Sequence, residues 1–156
     1  MHERDSPRHP LIIGIASDHG GYGLKEAVKR RFTEITFDDY GTHSEESCDY
    51  PDYVAAVCAR VSAGDLERAI VICGTGIGAS IVANKIPGVR AALCCNEFMA
   101  EMSRLHNDAN VLALGDRVLG DELAFRIIER WIGSPFDGGR HKKRLDKIDA
   151  LEKTTG

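Results

Sequence analysis

The chain has 156 residues, of which 43% are hydrophobic and 28% charged, and a formal net charge of −4. This composition is that of an ordinary globular domain with a substantial core, and the acidic balance argues against a nucleic-acid partner, which usually requires a basic protein. No apolar run is as long as a membrane span, and the five cysteines include no C-x-x-C pair, so neither a disulfide framework nor a structural zinc site is expected.

Residues 1–9 are polar and lack the hydrophobic stretch of a secretory signal, so we predict a flexible arm, a single domain over 10–156 and a cytoplasmic location. Strands are predicted at 11–17, 34–40, 68–73, 89–95 and 109–115, and helices at 22–32, 53–64, 78–86, 97–105, 120–132 and 141–153. Alternation of apolar strands with helices is typical of α/β proteins, with a parallel sheet covered by helices on both faces.

Polar residues and glycines follow several of the predicted strands. Asp18 and His19 come after the first strand, Cys73 ends the third, and Arg117 follows the fifth. Ligands of open α/β sheets bind outside the carboxyl ends of the strands. Because these side chains come from separate segments but reach the same edge of the sheet, the sequence predicts a small-molecule site there.

A glycine-rich loop follows the third strand. Gly74, Gly76 and Gly78 alternate with Thr75 and Ile77. Without side chains on the glycines, several backbone N–H groups can point at one spot, which suits a phosphate or a developing oxyanion. A tight turn that binds no ligand would give the same pattern.

The same loop also fits the dinucleotide-binding fingerprint G-x-G-x-x-G/A. Gly74, Gly76 and Ala79 occupy its small-residue positions, and Glu97 lies near the place of the ribose-binding acid. That fingerprint normally opens the first βαβ unit of a domain, whereas here it lies in the third. We therefore favour the phosphate or oxyanion interpretation.

Cys73 stands at the edge of the glycine loop. A cysteine at a strand end is often a small buried hydrophobic residue, but oriented amides favour its thiolate, which can act as a base or as a nucleophile. The other cysteines have no such loop and are predicted to be structural: Cys48, Cys58, Cys94 and Cys95.

Charged side chains near the C-terminus suit an anionic ligand. Arg140 and Arg144 lie four residues apart and share one face of the last predicted helix. Guanidinium groups match phosphate oxygens, and Arg117 offers a third. Asp18 and His19 place a carboxylate beside an imidazole that can move protons near neutral pH. The histidines show no metal-binding spacing, so no metal is expected.

Several motifs together resemble one known family. The segments "SDHGG", "DYPDY", "ICGTGIGASIVANKIPGVRAALC", "SRLHNDANVLALGDRV" and "GGRHKKR" are similar to the ribose-5-phosphate isomerase B (RpiB/LacAB) family of sugar-phosphate isomerases. The resemblance spans residues 11–153. It implies a Rossmann-like, three-layer α/β/α sandwich with a five-stranded parallel sheet, no metal and no cofactor. It also implies interconversion of D-ribose 5-phosphate and D-ribulose 5-phosphate in the pentose phosphate pathway.

The resemblance implies roles for individual residues. Cys73 takes the place of the base that removes a carbon-bound proton, because the glutamate that some members use is replaced here by Ala79. His106 takes the place of the histidine that opens the furanose ring, and Asp18 and Thr75 complete the catalytic set. The other implied ligands are His19, Tyr50, Gly74, Gly76, Ile77, Gly78 and Asn107 for the sugar, and His19, Arg117, Arg140 and Arg144 for the phosphate.

The resemblance further implies a homodimer, in some members a tetramer, with the active site at the subunit interface. His106, Asn107 and Arg117 are then expected from the neighbouring chain. Three alternatives stay open: an isomerase of a six-carbon sugar phosphate such as allose 6-phosphate or galactose 6-phosphate, a sugar-phosphate-binding regulator without turnover, and a cysteine hydrolase with a triad of Cys73, His106 and Asp18.

Overall fold

A computed structural model describes residues 10–154, so the predicted arm at residues 1–9 lies outside the described part of the chain. Strands and helices follow one another in this order: β1 Ile12–Ser17, α1 Tyr22–Arg31, β2 Thr36–Asp39, α2 Tyr50–Ser62, β3 Ala69–Cys73, α3 Ile77–Ala83, β4 Ala91–Leu93, α4 Glu97–Leu105, β5 Val111–Gly115, α5 Asp121–Gly133 and α6 Arg140–Thr154.

The five strands form one parallel sheet in the order β2-β1-β3-β5-β4. This confirms the predicted α/β fold with a five-stranded parallel sheet. From β1 the chain moves outward to β2 and then returns to β3 on the other side of β1. The strand order therefore reverses between β1 and β3, and such a switch point opens a crevice at the carboxyl ends of the two strands.

The side chains of the central strands alternate between two apolar layers, as the two-residue period of a strand requires. In β3, Ile70 and Ile72 pack with α1, α4 and α5, whereas Val71 and Cys73 pack with α2 and α3. Cys73 therefore reaches the switch point from the layer that α2 and α3 cover.

Several predicted boundaries differ from the structure. Helix α2 begins at Tyr50 rather than at residue 53, because Pro51 stands in the first turn, where its missing N–H costs nothing. Helix α3 ends at Ala83, short of the predicted residue 86, and β4 comprises only three of the seven predicted residues. The earlier start of α2 makes Tyr50 a helical residue rather than part of a loop.

Helix α6 is mostly exposed and is held by a few side chains. Within it, His141 and Leu145 are buried, and the carboxylate of Glu152 accepts the N–H of Gly88 at 2.9 and 3.0 Å. Among residues 10–154, none of the helices combines the length and the apolar character needed to cross a bilayer.

Candidate active site

Asp18 and Cys73 meet at the switch point because β1 and β3 are neighbours. The N–H of Asp18 donates to the carbonyl of Ile72 at 3.3 Å, and Asp18 Oδ1 accepts the N–H of Gly21 at 3.0 Å. Only 7% of Asp18 is exposed. These contacts hold the carboxylate against the end of β3, beside the glycine loop.

An open cavity of about 480 Å³ lies at this switch point, a volume that suits a small-molecule ligand. It is lined by Asp18, Tyr50, Cys73, Gly74, Thr75, Ile77, Gly78, Ile81 and Arg117. The sequence prediction includes all of these residues except Ile81. Ile81 follows Ile77 by one helical turn on α3, so the spacing of the two isoleucines was the available signal.

The sulfur of Cys73 faces the glycine loop. Cys73 is 4% exposed, and its Sγ accepts the N–H of Gly76 at 3.2 Å. Gly76 has a φ of +79°, and a Cβ at this position would lie 2.6 Å from the side chain of Leu93. Only glycine fits here, so the loop sequence itself directs a backbone donor at the sulfur.

Of the other backbone N–H groups in the loop, one donates within the loop and three are available to a ligand. The N–H of Ile77 donates to Thr75 Oγ1 at 3.2 Å. Among the described residues, the N–H groups of Gly74, Thr75 and Gly78 have no hydrogen-bond acceptor. Because these three residues line the cavity, the loop can offer their donors to an anion bound there.

Tyr50 forms a wall of the cavity over Gly78. A Cβ on Gly78 would lie 2.6 Å from the Tyr50 ring and 2.8 Å from its hydroxyl oxygen. The position of Tyr50 on the first turn of α2 brings the phenol against the start of α3, since the two helices cover the same layer of the sheet. The phenol and the loop amides therefore border the same space.

Arg117 lines the cavity of its own chain. Its N–H donates to the carbonyl of Gly74 at 2.9 Å, and its guanidinium lies about 3.5 Å from where a Cβ on Gly74 would stand. The expectation that a neighbouring chain supplies Arg117 is therefore wrong. The physical reason is the pairing of β3 with β5, which brings the residues after the two strands together.

His19 follows Asp18 but does not line this cavity. Its Nδ1 accepts the N–H of Cys48 at 3.2 Å. A neutral imidazole that accepts at Nδ1 carries its proton on Nε2, which leaves Nε2–H as the donor that His19 can offer. Cys48, which the sequence prediction treats as structural, thus orients a candidate phosphate ligand through its backbone.

The remaining predicted site residues lie apart from the cavity. His106 directly follows α4, and its ring stacks on the ring of His141 with centroids 4.2 Å apart. Asn107 borders a groove between the β4 region and α6, and Arg140 and Arg144 are exposed on α6. None of these residues lines the Cys73 cavity of the same chain. We call His106, Asn107, Arg140 and Arg144 the histidine–arginine cluster.

Two arginines that the sequence prediction missed hold the turn after α4. Asp108 has a φ of +44°, and its carboxylate accepts Nη1 of the buried Arg104 at 2.8 Å. Arg90 donates from Nε to the carbonyl of Asn107 at 3.0 Å. The spacing of Arg104 and Asp108, four residues apart, was the available signal. These contacts fix the backbone that carries His106 and Asn107.

Two other cysteines differ from Cys73 in their surroundings. Burial raises the pKa of Cys58 to about 12 and that of Cys94 to about 11. Both thiols therefore stay protonated at neutral pH, which fits the structural role predicted for them.

The strand order argues against the dinucleotide interpretation. In that fingerprint the ribose-binding acid ends the strand next to the one that precedes the glycine loop. Glu97 follows β4, but β5 lies between β3 and β4. Its carboxylate instead lies 3.8 Å from Nε of Arg130 on α5.

The parallel α/β sheet and its strand-end cavity, with a cysteine, an aspartate and an arginine around it, define an α/β enzyme. Residues 13–148 match the family described as Ribose/Galactose Isomerase. The chain therefore belongs to this family, and it is an isomerase.

Individual relatives agree with this assignment. Ribose-5-phosphate isomerase B of Escherichia coli is 44% identical over 142 residues, which cover 90% of this chain and 95% of the relative. The solved ribose-5-phosphate isomerase B of Clostridium thermocellum superposes with a TM-score of 0.92 at 51% identity, over 94% of this chain and 100% of that one. The enzyme of Mycoplasma genitalium, solved with bound ribulose-5-phosphate, gives a TM-score of 0.85 at 38% identity, over 92% and 97%.

Proposed function

We propose that this isomerase interconverts D-ribose 5-phosphate and D-ribulose 5-phosphate in the pentose phosphate pathway, with Cys73 as the base and His106 as the group that opens the ring. The observation that carries the proposal is the Cys73 sulfur, which accepts a loop N–H at the edge of a cavity with free amides and a guanidinium. Relatives that bear this activity in their names, one of them solved with ribulose-5-phosphate, support the choice of sugar.

The chemistry requires two kinds of proton transfer. His106 first acts as an acid and a base on the ring oxygen and the O1 hydroxyl, which opens the furanose to the aldehyde.

The Cys73 thiolate then removes the proton from C2. The electron pair of that C–H bond forms the C1–C2 double bond, while the carbonyl pair moves to O1 and gives an enediolate. We assign the transfer of the O2 proton to O1 to Asp18 and Thr75, which line the same cavity, and the Cys73 thiol returns its proton to C1. One base on one face of the sugar favours a cis-enediolate.

The glycine loop supplies the donors that the enediolate needs. The N–H groups of Gly74, Thr75 and Gly78 are free among the described residues and border the cavity. Fixed donors of this kind stabilise a developing oxyanion, and removing one typically costs about 2.7–4 kcal/mol of transition-state stabilisation. Because Gly76 donates to the sulfur, it supports the base rather than the oxyanion. In this scheme Ile77 and Tyr50 shape the sugar pocket.

We further propose that the site is completed by a second copy of the chain in a homodimer, or in a tetramer built from such dimers. Among the described residues, the Cys73 cavity has the thiol but no histidine, whereas the histidine–arginine cluster has His106 and two arginines but no thiol. Ile77 and Ile81 at the cavity are 53% and 56% exposed, an apolar surface that a partner would cover. A twofold axis would join each cavity to the partner's cluster, giving two complete sites.

The phosphate is then held from both chains. Arg117 lines the cavity and His19 follows the cavity residue Asp18 in the same chain, while Arg140 and Arg144 reach the phosphate from the partner together with Asn107. Binding energy from the remote phosphate positions the reacting carbons at the sulfur and the loop amides. We place the enzyme in the cytoplasm, where the five cysteines, all of them free, would stay reduced.

The function is tested by isotope exchange. With ribose 5-phosphate in D₂O, we expect ribulose 5-phosphate to form with deuterium at C1, measured by proton NMR. Binding without turnover or exchange would favour a regulator, and hydrolysis of an ester substrate that depends on Cys73 would favour the hydrolase. Rates with allose 6-phosphate and galactose 6-phosphate that exceed the rate with ribose 5-phosphate would favour a six-carbon substrate.

Replacing Arg140 by alanine is expected to weaken substrate binding more than catalysis. A charge-assisted hydrogen bond contributes about 1.5–3 kcal/mol, so KM for ribose 5-phosphate should rise roughly 10–100-fold, with kcat within about threefold because the phosphate is remote from C1 and C2. Steady-state kinetics give both constants, and Lys143→Ala, on an exposed position of the same helix, is the control. A fall in kcat with an unchanged KM would contradict the phosphate role.

A further inference from the structure

His141 is a buried polar residue that contacts His106 and has no role in the proposed mechanism so far. His141 is the second residue of α6 and is 8% exposed. Its ring lies flat on that of His106, with 4.2 Å between the centroids and 10° between the planes. Within residues 10–154, neither ring nitrogen of His141 has a hydrogen-bond partner, and the ring stacks on His106, the residue that follows α4.

Burial and the neighbouring positive groups both disfavour a proton on the His141 ring. Its pKa lies below the usual value because burial disfavours the imidazolium, and because His106, Arg140 and Arg144 would all repel it. Asp137 acts in the opposite direction but does not reverse the shift. A neutral imidazole beside His106 presents an aromatic face to whatever charge His106 carries when it transfers protons.

The two stacked histidines and the nearby Asp137 also suggest a metal site. His106, Asp137 and His141 place one possible ligand atom each within 4.8 Å of one another. Yet the lone pairs of an imidazole lie in the plane of its ring, and two rings stacked at 10° direct them along parallel planes. They do not converge on a common centre, as the tetrahedral geometry of zinc requires. The arrangement suits stacking better than metal binding.

A backbone hydrogen bond also connects the segment before α6 to α4. The N–H of Asp137 donates to the carbonyl of Leu105 at 3.0 Å, which fastens the segment before α6 to the end of α4. His141 lies between Arg140 and Arg144 in the sequence, and it is one of two buried residues of α6. The stack thus joins His106 to α6, the helix that carries the two arginines.

We propose that His141 is a positioning residue. Its flat, neutral ring fixes the orientation of the His106 ring for opening the furanose, and it keeps α6 in a fixed position relative to His106. This inference rests on the proposed function, since it assigns His141 a role through His106. It predicts that His141 matters for the cyclic substrate and not for the proton transfer at carbon that Cys73 performs.

The two sugars separate these steps. Ribose 5-phosphate closes into a furanose, whereas ribulose 5-phosphate stays open because its O5 is phosphorylated. For His141→Ala, we expect kcat with ribose 5-phosphate to fall roughly 10–100-fold, the cost of a misplaced catalytic group. Exchange of the C1 proton of ribulose 5-phosphate in D₂O, followed by NMR, should stay within about threefold of the parent. His141→Phe keeps a flat ring and should restore ribose turnover to within about threefold.

Each outcome decides the inference. Unchanged ribose turnover in His141→Ala, an equal loss of turnover and exchange, or a Phe variant as slow as the Ala variant would overturn it. If His141→Ala does not fold, His141→Gln, which keeps a polar side chain but no ring, takes its place in the same comparison. A parent enzyme that performs neither reaction would instead overturn the proposed function itself.

The neutral state of the ring has a separate consequence for stability. As the pH falls through the usual histidine range near ~6.5, the unfolded chain binds a proton at His141 before the folded chain does, so stability is lost toward acid pH. In His141→Phe this contribution is absent. We expect the drop in Tm between neutral and mildly acid pH to be smaller in the Phe variant, and an identical drop would contradict the neutral ring.

Discussion

Cys73→Ala is expected to abolish isomerisation while leaving substrate binding nearly intact. In the proposed scheme the sulfur alone removes the C2 proton, since Asp18 acts on the hydroxyl protons, and loss of a general base typically costs about 10²–10⁴-fold in rate. The groups proposed to hold the phosphate, among them Arg117, do not depend on the sulfur. Initial rates should therefore fall by at least about 10²-fold, whereas calorimetry with ribose 5-phosphate should give a Kd within about threefold of the parent.

The matched control is Cys94→Ala. Cys94 is as buried as Cys73, with 1% of its surface exposed against 4%, but it lies outside the cavity and burial raises its pKa to about 11. This variant creates a comparable small void without touching the proposed chemistry, so it should keep full kcat. If Cys73→Ala turned over at a rate close to that of Cys94→Ala, the sulfur would not be the base.

Mixing two inactive variants is expected to restore activity. Cys73→Ala keeps His106 and His106→Ala keeps Cys73, so a dimer with one chain of each kind contains one complete site and one doubly defective site. Random assortment of equal amounts makes about half of the dimers mixed, which predicts about a quarter of the parent activity. Co-expression with two different affinity tags allows the mixed dimers to be isolated and their kcat measured.

A double variant provides the control for mixing. When Cys73→Ala is combined with a chain that carries both Cys73→Ala and His106→Ala, neither site of a mixed dimer has a sulfur. No recovery is expected there. Mixed dimers of the two single variants that stay as inactive as their parents would show that Cys73 and His106 do not complete each other across an interface.

The fold class and most of the residues that line the cavity could be predicted from the sequence. Runs such as 68–73 are apolar on both faces, which is typical of a central parallel strand, and a strand-end site follows from that topology. The residues that line the cavity after β1, β3 and β5 were identified because polar and glycine residues at strand ends have few structural reasons to be there. The start of α2 also had a local signal, since Asp49 and Pro51 are typical of a helix N-terminus.

The order of the strands had no such signal. A strand buried on both faces fits equally well beside any other apolar strand, so the sequence alone does not say that β5 lies between β3 and β4. That order decided two questions about the site. It brought Arg117 to Gly74 of the same chain, and it separated Glu97 from the strand that precedes the glycine loop.

The sequence by itself therefore determined which residues are available for chemistry, because composition and spacing are local properties of the chain. The tertiary structure decided which of them share a space: Cys73 with Asp18, Tyr50 and Arg117 in one cavity, and His106 with His141 at another place. These groupings depend on contacts between residues far apart in the sequence, such as the N–H of Arg117 on the carbonyl of Gly74. Such contacts form only when the sheet assembles, and no short stretch of sequence specifies them.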